Sequence, residues 1–75
     1  MNMNSVLSSQ IESIGHDVST STLAVKFKQG AGAVYHYSGV TYPQYTALVG
    51  AKSIGKHFGE NFRNNPDHPA KRQSD

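Results

Sequence analysis

The segment "TLAVKFKQGAGAVYHYSGV", residues 22–40, constrains the fold of this chain more than any other stretch. Leu23, Val25 and Phe27 alternate with Ala24, Lys26 and Lys28, the period of a half-buried strand. Beyond the glycine-rich "QGAGA", Tyr35 and Tyr37 alternate with Val34 and His36. Two alternating runs joined by a glycine-rich loop predict an antiparallel hairpin. Its register decides which face the tyrosines take. A two-residue loop at Gly30–Ala31 pairs Phe27 with Val34 and turns both rings to solvent. A three-residue loop centred on Ala31 pairs Phe27 with Tyr35 and Val25 with Tyr37. The odd loop is the better solution, because a one-residue slip exchanges the faces of a strand. It gathers Leu23, Val25, Phe27, Tyr35 and Tyr37 on one apolar face and Lys26, Lys28 and His36 on a wet one.

"SSQIESIGHD" (8–17) precedes this hairpin and reads as a first strand. Ile11 and Ile14 are three apart, so a bulge near Ser13 or a bend at Gly15 is required to set both on one face. "DVSTST" is a turn, rich in residues that bond to their own backbone. Two helices follow the hairpin. Thr41 and Gln44 in "TYPQ" form a capping box with a proline in the first turn. Tyr42, Tyr45, Leu48 and Val49 then make an apolar stripe that stops at Gly50. The second helix is read over Ser53–Asn64, capped by Ser53, with Ile54, Phe58 and Phe62 on one face. Gly55 and Gly59 weaken so short a helix, which implies close approach of another backbone or of a ligand.

The expected fold is therefore α+β: a three-stranded antiparallel β-meander followed by two short helices packed on one face. Residues 1–7 and 65–75 are read as disordered tails, since neither carries enough apolar surface to offset the entropy of ordering. That leaves 8–64 as the folded domain. The 75 residues include no cysteine, so neither a disulfide nor a zinc–thiolate site supports so small a core. A homo-oligomer is the expected remedy. No segment approaches the length of a membrane span, and "MNMNSVLSSQ" has neither a basic n-region nor an apolar h-region, so a cytoplasmic location without membrane contact is expected.

"SSQIESIGHD", "LAVKFKQG", "VYHYSGV" and "YTALVGAKSIGKHFGENFR" together resemble the KTSC domain, a small domain found at the C-terminus of some lysyl-tRNA synthetases and as free-standing bacterial or phage proteins. Its hallmark is Tyr-x-Tyr, here Tyr35–His36–Tyr37. The resemblance runs from about Ser8 to Arg63 and implies RNA binding. The loop "QGAGA" is longer than is usual for the family, and "NNPDHP" stands where many members carry an aromatic–basic stretch.

The net charge of +2 permits a phosphate-bearing partner without demanding one. Tyr35 and Tyr37 serve either as core or as a base-stacking pair. "KSIGK" suits an anion: a helix start offers free N–H groups, Gly55 allows close approach, Ser53 adds a hydroxyl, and Lys52 and Lys56 add charge. It lacks the glycine spacing of a P-loop. Lys26, Lys28 and His36, joined to Lys52, Lys56, His57 and Arg63, would make a basic patch with aromatics nearby. His57 and Glu60 share a helical face, but no third ligand is indicated, so no metal is expected. No nucleophile–base motif is present, so neither catalysis nor a cofactor is expected. Three functions stay open. They are an RNA-binding module, an oligomeric binder of a small nucleotide, and an assembly module that pairs through an open strand edge.

Overall fold

The computed structural model describes residues 2–28 and 32–73. Its elements are β1 (Met3–Ser5), β2 (Ile11–Asp17), β3 (Thr22–Phe27), β4 (Val34–Tyr37), α1 (Tyr42–Val49), α2 (Ile54–Asn61) and β5 (Ala70–Gln73). All strands pair antiparallel in the order β1-β2-β3-β4-β5. The α+β class and the two helices agree with the sequence reading. The sheet has five strands rather than three, because both ends of the chain add an edge strand. β1 pairs with β2 through Met3–Gly15 and Ser5–Ser13. β5 pairs with β4 through Tyr35–Arg72 and Tyr37–Ala70. Neither end buries apolar side chains in quantity; both are held by main-chain hydrogen bonds, which composition does not report.

The irregularity expected in β2 is a bulge. Its register shifts between Ile11, opposite Phe27, and Ser13, opposite Lys26. Ile11 and Ile14 consequently both reach the core, each with no exposed surface. The turn after β2 is closed by Asp17, whose Oδ1 accepts from the Ser19 amide (3.0 Å) and hydroxyl (2.7 Å). These bonds, the Ser19 hydroxyl first, hold the Asp17 carboxyl below the usual carboxylate range.

In the central hairpin, Val25 faces Tyr35 and Leu23 faces Tyr37. The expected pairs were Phe27–Tyr35 and Val25–Tyr37, so the register is displaced by two residues. An even displacement leaves the faces intact, and both tyrosines share the apolar face with Leu23, Val25 and Phe27. The hairpin is thus centred one residue earlier than expected. Lys26–Val34 is the last pair of the ladder, and the Phe27 amide donates to the Ala33 carbonyl at 3.4 Å. The centre of the expected loop, Ala31, lies outside the described residues.

α1 starts as its sequence dictates. The Thr41 amide donates to Gln44 Oε1 (2.8 Å), and the Gln44 amide donates to the Thr41 hydroxyl (3.4 Å). It stops at Gly50. In α2 the Ser53 hydroxyl accepts from the Lys56 amide. The helix ends at Asn61, three residues earlier than expected, and Asn64 then takes a left-handed φ of 57° that turns the chain away. Both helices lie on the apolar face. Phe58 stands edge-on to Tyr37 (5.1 Å) and Phe27 (5.7 Å), and Tyr45 of α1 stacks on His16 of β2 (5.1 Å). Leu48, Ile54, Phe58 and Phe62 close the core over Ile11, Ile14, Leu23, Val25 and Val40. No helix of the described residues is long and apolar enough to cross a membrane.

From α2 the chain returns to β4 through the segment "NNPDHP". His68 is buried there, with its ring 5.2 Å from Phe62. The Ser38 amide donates to the Pro69 carbonyl (3.1 Å), which aligns the next four residues as β5. β4, an edge in a three-stranded sheet, is thereby covered.

Candidate nucleic-acid interface

Sheet register alone places an arginine beside a tyrosine. Arg72 of β5 is directly opposite Tyr35 of β4, and so shares the helix-side face with it. Tyr37, one step along that face, is buried against Phe58, whereas Tyr35 is half-buried and meets Phe27 edge-on at 5.7 Å. Arg63 follows α2, its amide donating to the Phe58 carbonyl (3.1 Å), and reaches the same place from the helix side. Together with Gln10 and Ala33 these residues line a cleft of about 600 Å³. Its floor is aromatic and its two charges are guanidinium groups.

Burial raises the Tyr37 pKa above 10.0, and the positive charge of Arg63 opposes that rise in part. The phenol is therefore an O–H donor at neutral pH. Neither tyrosine hydroxyl has a hydrogen-bond partner among the described residues, so both are free to serve a ligand.

The start of α2 lines a second depression of about 480 Å³, where Lys52, Ser53, Gly55 and Lys56 face the loop Leu7–Gln10. The amides of the first helical turn lack helical partners, and Ser53 satisfies that of Lys56. A Cβ at Gly55 would stand 3.4 Å from Ser8 Oγ, an ordinary van der Waals contact with a side chain, so within the chain no close approach requires glycine there. Gly59 has no neighbour within 4 Å of such an atom, so the expected close approach fails for it as well.

Gln10 and Arg63 line both depressions. The two adjoin at these residues, and their combined lining, the groove, extends from the start of α2 to the edge of the sheet. Of the residues singled out in the sequence, it includes Tyr35, Tyr37, Lys52, Ser53, Gly55, Lys56 and Arg63. It does not include Lys26 or His36, which belong to the opposite face of the sheet. There His36 pairs with Ala24 and Lys71, and Lys26 bonds Glu12 at 3.0 Å. The wet face expected for these two is present, but the sheet separates it from the helix start, so no single patch forms. Lys28 is exposed after β3, with its amide donating to the Gln10 carbonyl (3.0 Å), and lies outside the groove lining. His57 sits within α2 with its ring 6.3 Å from Phe62 and also lies outside it. Gln10 and Arg72 were missed. Gln10 sits in a polar connection without periodicity, and Arg72 in a segment read as a tail. The tyrosines' partner strand was the only signal that could have exposed Arg72. Among the described residues, no three His, Asp or Glu side chains are placed to hold a metal ion.

The model of the KTSC domain matches residues 7–65. The chain belongs to the KTSC domain family. An uncharacterized protein of Stutzerimonas stutzeri is 38% identical over 61 residues, which cover 81% of this chain and 80% of that one. The crystal structure of a KTSC domain protein from Yersinia pestis is 27% identical, covers 97% of both chains and superposes with a TM-score of 0.86. The family match begins after β1 and ends before β5, so in this KTSC domain Arg72 stands outside the matched segment while Tyr35, Tyr37, Lys56 and Arg63 stand inside it.

Proposed function

We propose that this KTSC domain is a non-enzymatic module that binds RNA, or another phosphate-bearing strand, along the groove. One observation carries this. Four of the chain's seven Lys and Arg residues (Lys52, Lys56, Arg63 and Arg72) line two adjoining depressions, one of them floored by Phe27, Tyr35 and Tyr37. No carboxylate is among the described lining residues. Clustered cations neutralise phosphates, and aromatic faces stack bases without regard to sequence. The groove offers serine hydroxyls but neither a histidine nor a carboxylate to activate them, which favours binding over catalysis.

A small nucleotide is the second reading, favoured by the size of the tyrosine cleft. Its roughly 600 Å³ lies within the range of small-molecule sites. Assembly through a strand edge draws less support. β5 covers β4, and the outermost strands are three and four residues long, the latter bearing Lys71 and Arg72. Self-association keeps its motive in a small core without cysteine, and the sheet edges it could use are β1 and β5 rather than β4.

Fluorescence anisotropy with a labelled single-stranded RNA, titrated between 50 and 200 mM salt, tests the main reading. Each phosphate neutralised contributes about −0.7 to the slope of log K against log salt. Four groove cations therefore predict a slope near −3. A slope near zero, or no saturable binding at the lowest salt, would overturn it.

A further inference from the structure

Arg63 and Arg72 reach the tyrosine cleft from different elements, one from the end of α2 and one from β5. Neither makes an ion pair among the described residues, where the pair recorded is Lys26–Glu12. Two guanidinium groups beside one cleft, with no ion pair among the described residues, repel each other in the free protein. They are best satisfied by a ligand group bearing close to two negative charges with several acceptor oxygens. A phosphodiester carries one charge. A phosphomonoester carries about 1.5 to 2 at neutral pH and presents three acceptor oxygens. Guanidinium forks match that geometry in bidentate fashion, and the two phenol hydroxyls and the Gln10 amide supply neutral donors around it. The half-buried Tyr35 ring, supported edge-on by Phe27, gives the adjoining apolar surface.

We propose, resting on the groove reading above, that the tyrosine cleft receives a nucleoside phosphomonoester, its phosphate between Arg63 and Arg72 and its base against Tyr35. The cleft forms one end of the groove, so the group is either the phosphorylated terminus of a strand or a free nucleotide. The rest of the groove, past Gln10 to Lys56, carries the following phosphodiesters in the first case and contributes little in the second.

The test uses one RNA decamer in three forms, with a 5′-phosphate, a 3′-phosphate or neither, together with AMP and adenosine measured by calorimetry. A terminally phosphorylated decamer should bind about 10-fold more tightly than the unphosphorylated one, a difference of about 1.4 kcal/mol. Arg72→Gln and Arg63→Gln should each remove that ratio. Lys56→Gln should weaken all three decamers alike and keep it. AMP binding well above adenosine, without strand binding, assigns the cleft to free nucleotides and overturns the strand reading while upholding the phosphomonoester site. Equal binding of the three decamers with a steep salt slope leaves the groove reading standing. If AMP is then no better than adenosine, the phosphomonoester site is overturned.

Discussion

The His68 ring donates through Nδ1 to the carbonyl of Ser38, 3.1 Å away and thirty residues earlier in the chain. A carbonyl oxygen only accepts, so the proton is on Nδ1. This bond, with the contact of the ring on Phe62, fastens the returning segment to the end of β4 and sets the phase in which β5 pairs. The same place fixes Gly39, whose φ of 71° favours glycine and where a Cβ would stand 3.1 Å from the Asp67 carbonyl oxygen. The position of Arg72 in the cleft thus depends on His68.

His68→Ala should therefore act at two levels. Loss of the buried hydrogen bond and of ring packing should reduce stability by about 1–3 kcal/mol. Amide exchange should accelerate most in residues 70–73. RNA affinity should fall at least as far as in Arg72→Gln. Unchanged exchange in β5 would show that the strand is held by its ladder alone.

The core is centred on Phe58 rather than on the hairpin. Phe58 is 1% exposed and touches the rings of Phe27, Tyr37 and Phe62, whereas Phe27 is only partly buried at the rim of the cleft. Phe58→Ala should lower stability by about 3–5 kcal/mol, enough to unfold a domain of this size. Phe27→Ala should lower it by roughly half as much, since less surface is released. Urea denaturation of both variants checks the order; equal losses would move the centre of the core to the hairpin.

Tyr37 gives a pH signature. Its folded-state pKa lies above 10.0 because burial disfavours the phenolate. The stability this confers is complete below about pH 10, where the unfolded chain also holds its proton, and is lost as pH rises through the folded value. Tyr37→Phe removes that titration. The stability of the parent should decline relative to the variant above pH 10, and the most alkaline part of the tyrosinate absorbance change should vanish. A titration curve unaltered at its alkaline end would place the phenol in water. At neutral pH the same variant keeps the ring, so weakened RNA binding with unchanged melting would identify the hydroxyl as a ligand contact.

Local rules made much of this fold legible. The Thr41–Gln44 box, the Ser53 cap and the β2 bulge each follow from a few neighbouring residues and an apolar period. The hairpin face also followed, because only its parity mattered. Its register did not, since the number of residues given to the connection is set by the loop rather than by the alternation. β1 and β5 left no trace: "MNS" and "AKRQ" have no apolar face, and their places come from hydrogen bonds to β2 and β4 and from one buried histidine. The groove suffered accordingly. Tyr35, Tyr37, Lys56 and Arg63 were visible as residue types near glycine and aromatic positions. Arg72 became visible only when register set it against Tyr35.

Lys56 and Lys71 separate a directed site from diffuse charge. Both are exposed, and each substitution by glutamate changes the net charge equally. Lys56 lines the groove at the start of α2, while Lys71 alternates with Arg72 and so stands on the other side of the sheet, beside His36. At about 0.1 M salt the Debye length is close to 10 Å, so a charge across the sheet is largely screened from a strand in the groove. Lys56→Glu should therefore weaken single-stranded RNA binding by about 10-fold or more and make the salt slope shallower by about 1.4 units. That change combines one lost phosphate contact with one added repulsion. Lys71→Glu should change affinity less than about 2-fold, a free-energy difference below about 0.4 kcal/mol. Neither should shift the melting temperature, because neither side chain is buried. Equal losses from the two would reduce the interaction to overall charge, and a larger loss from Lys71→Glu would move the interface to the open face of the sheet, with Lys26 and His36.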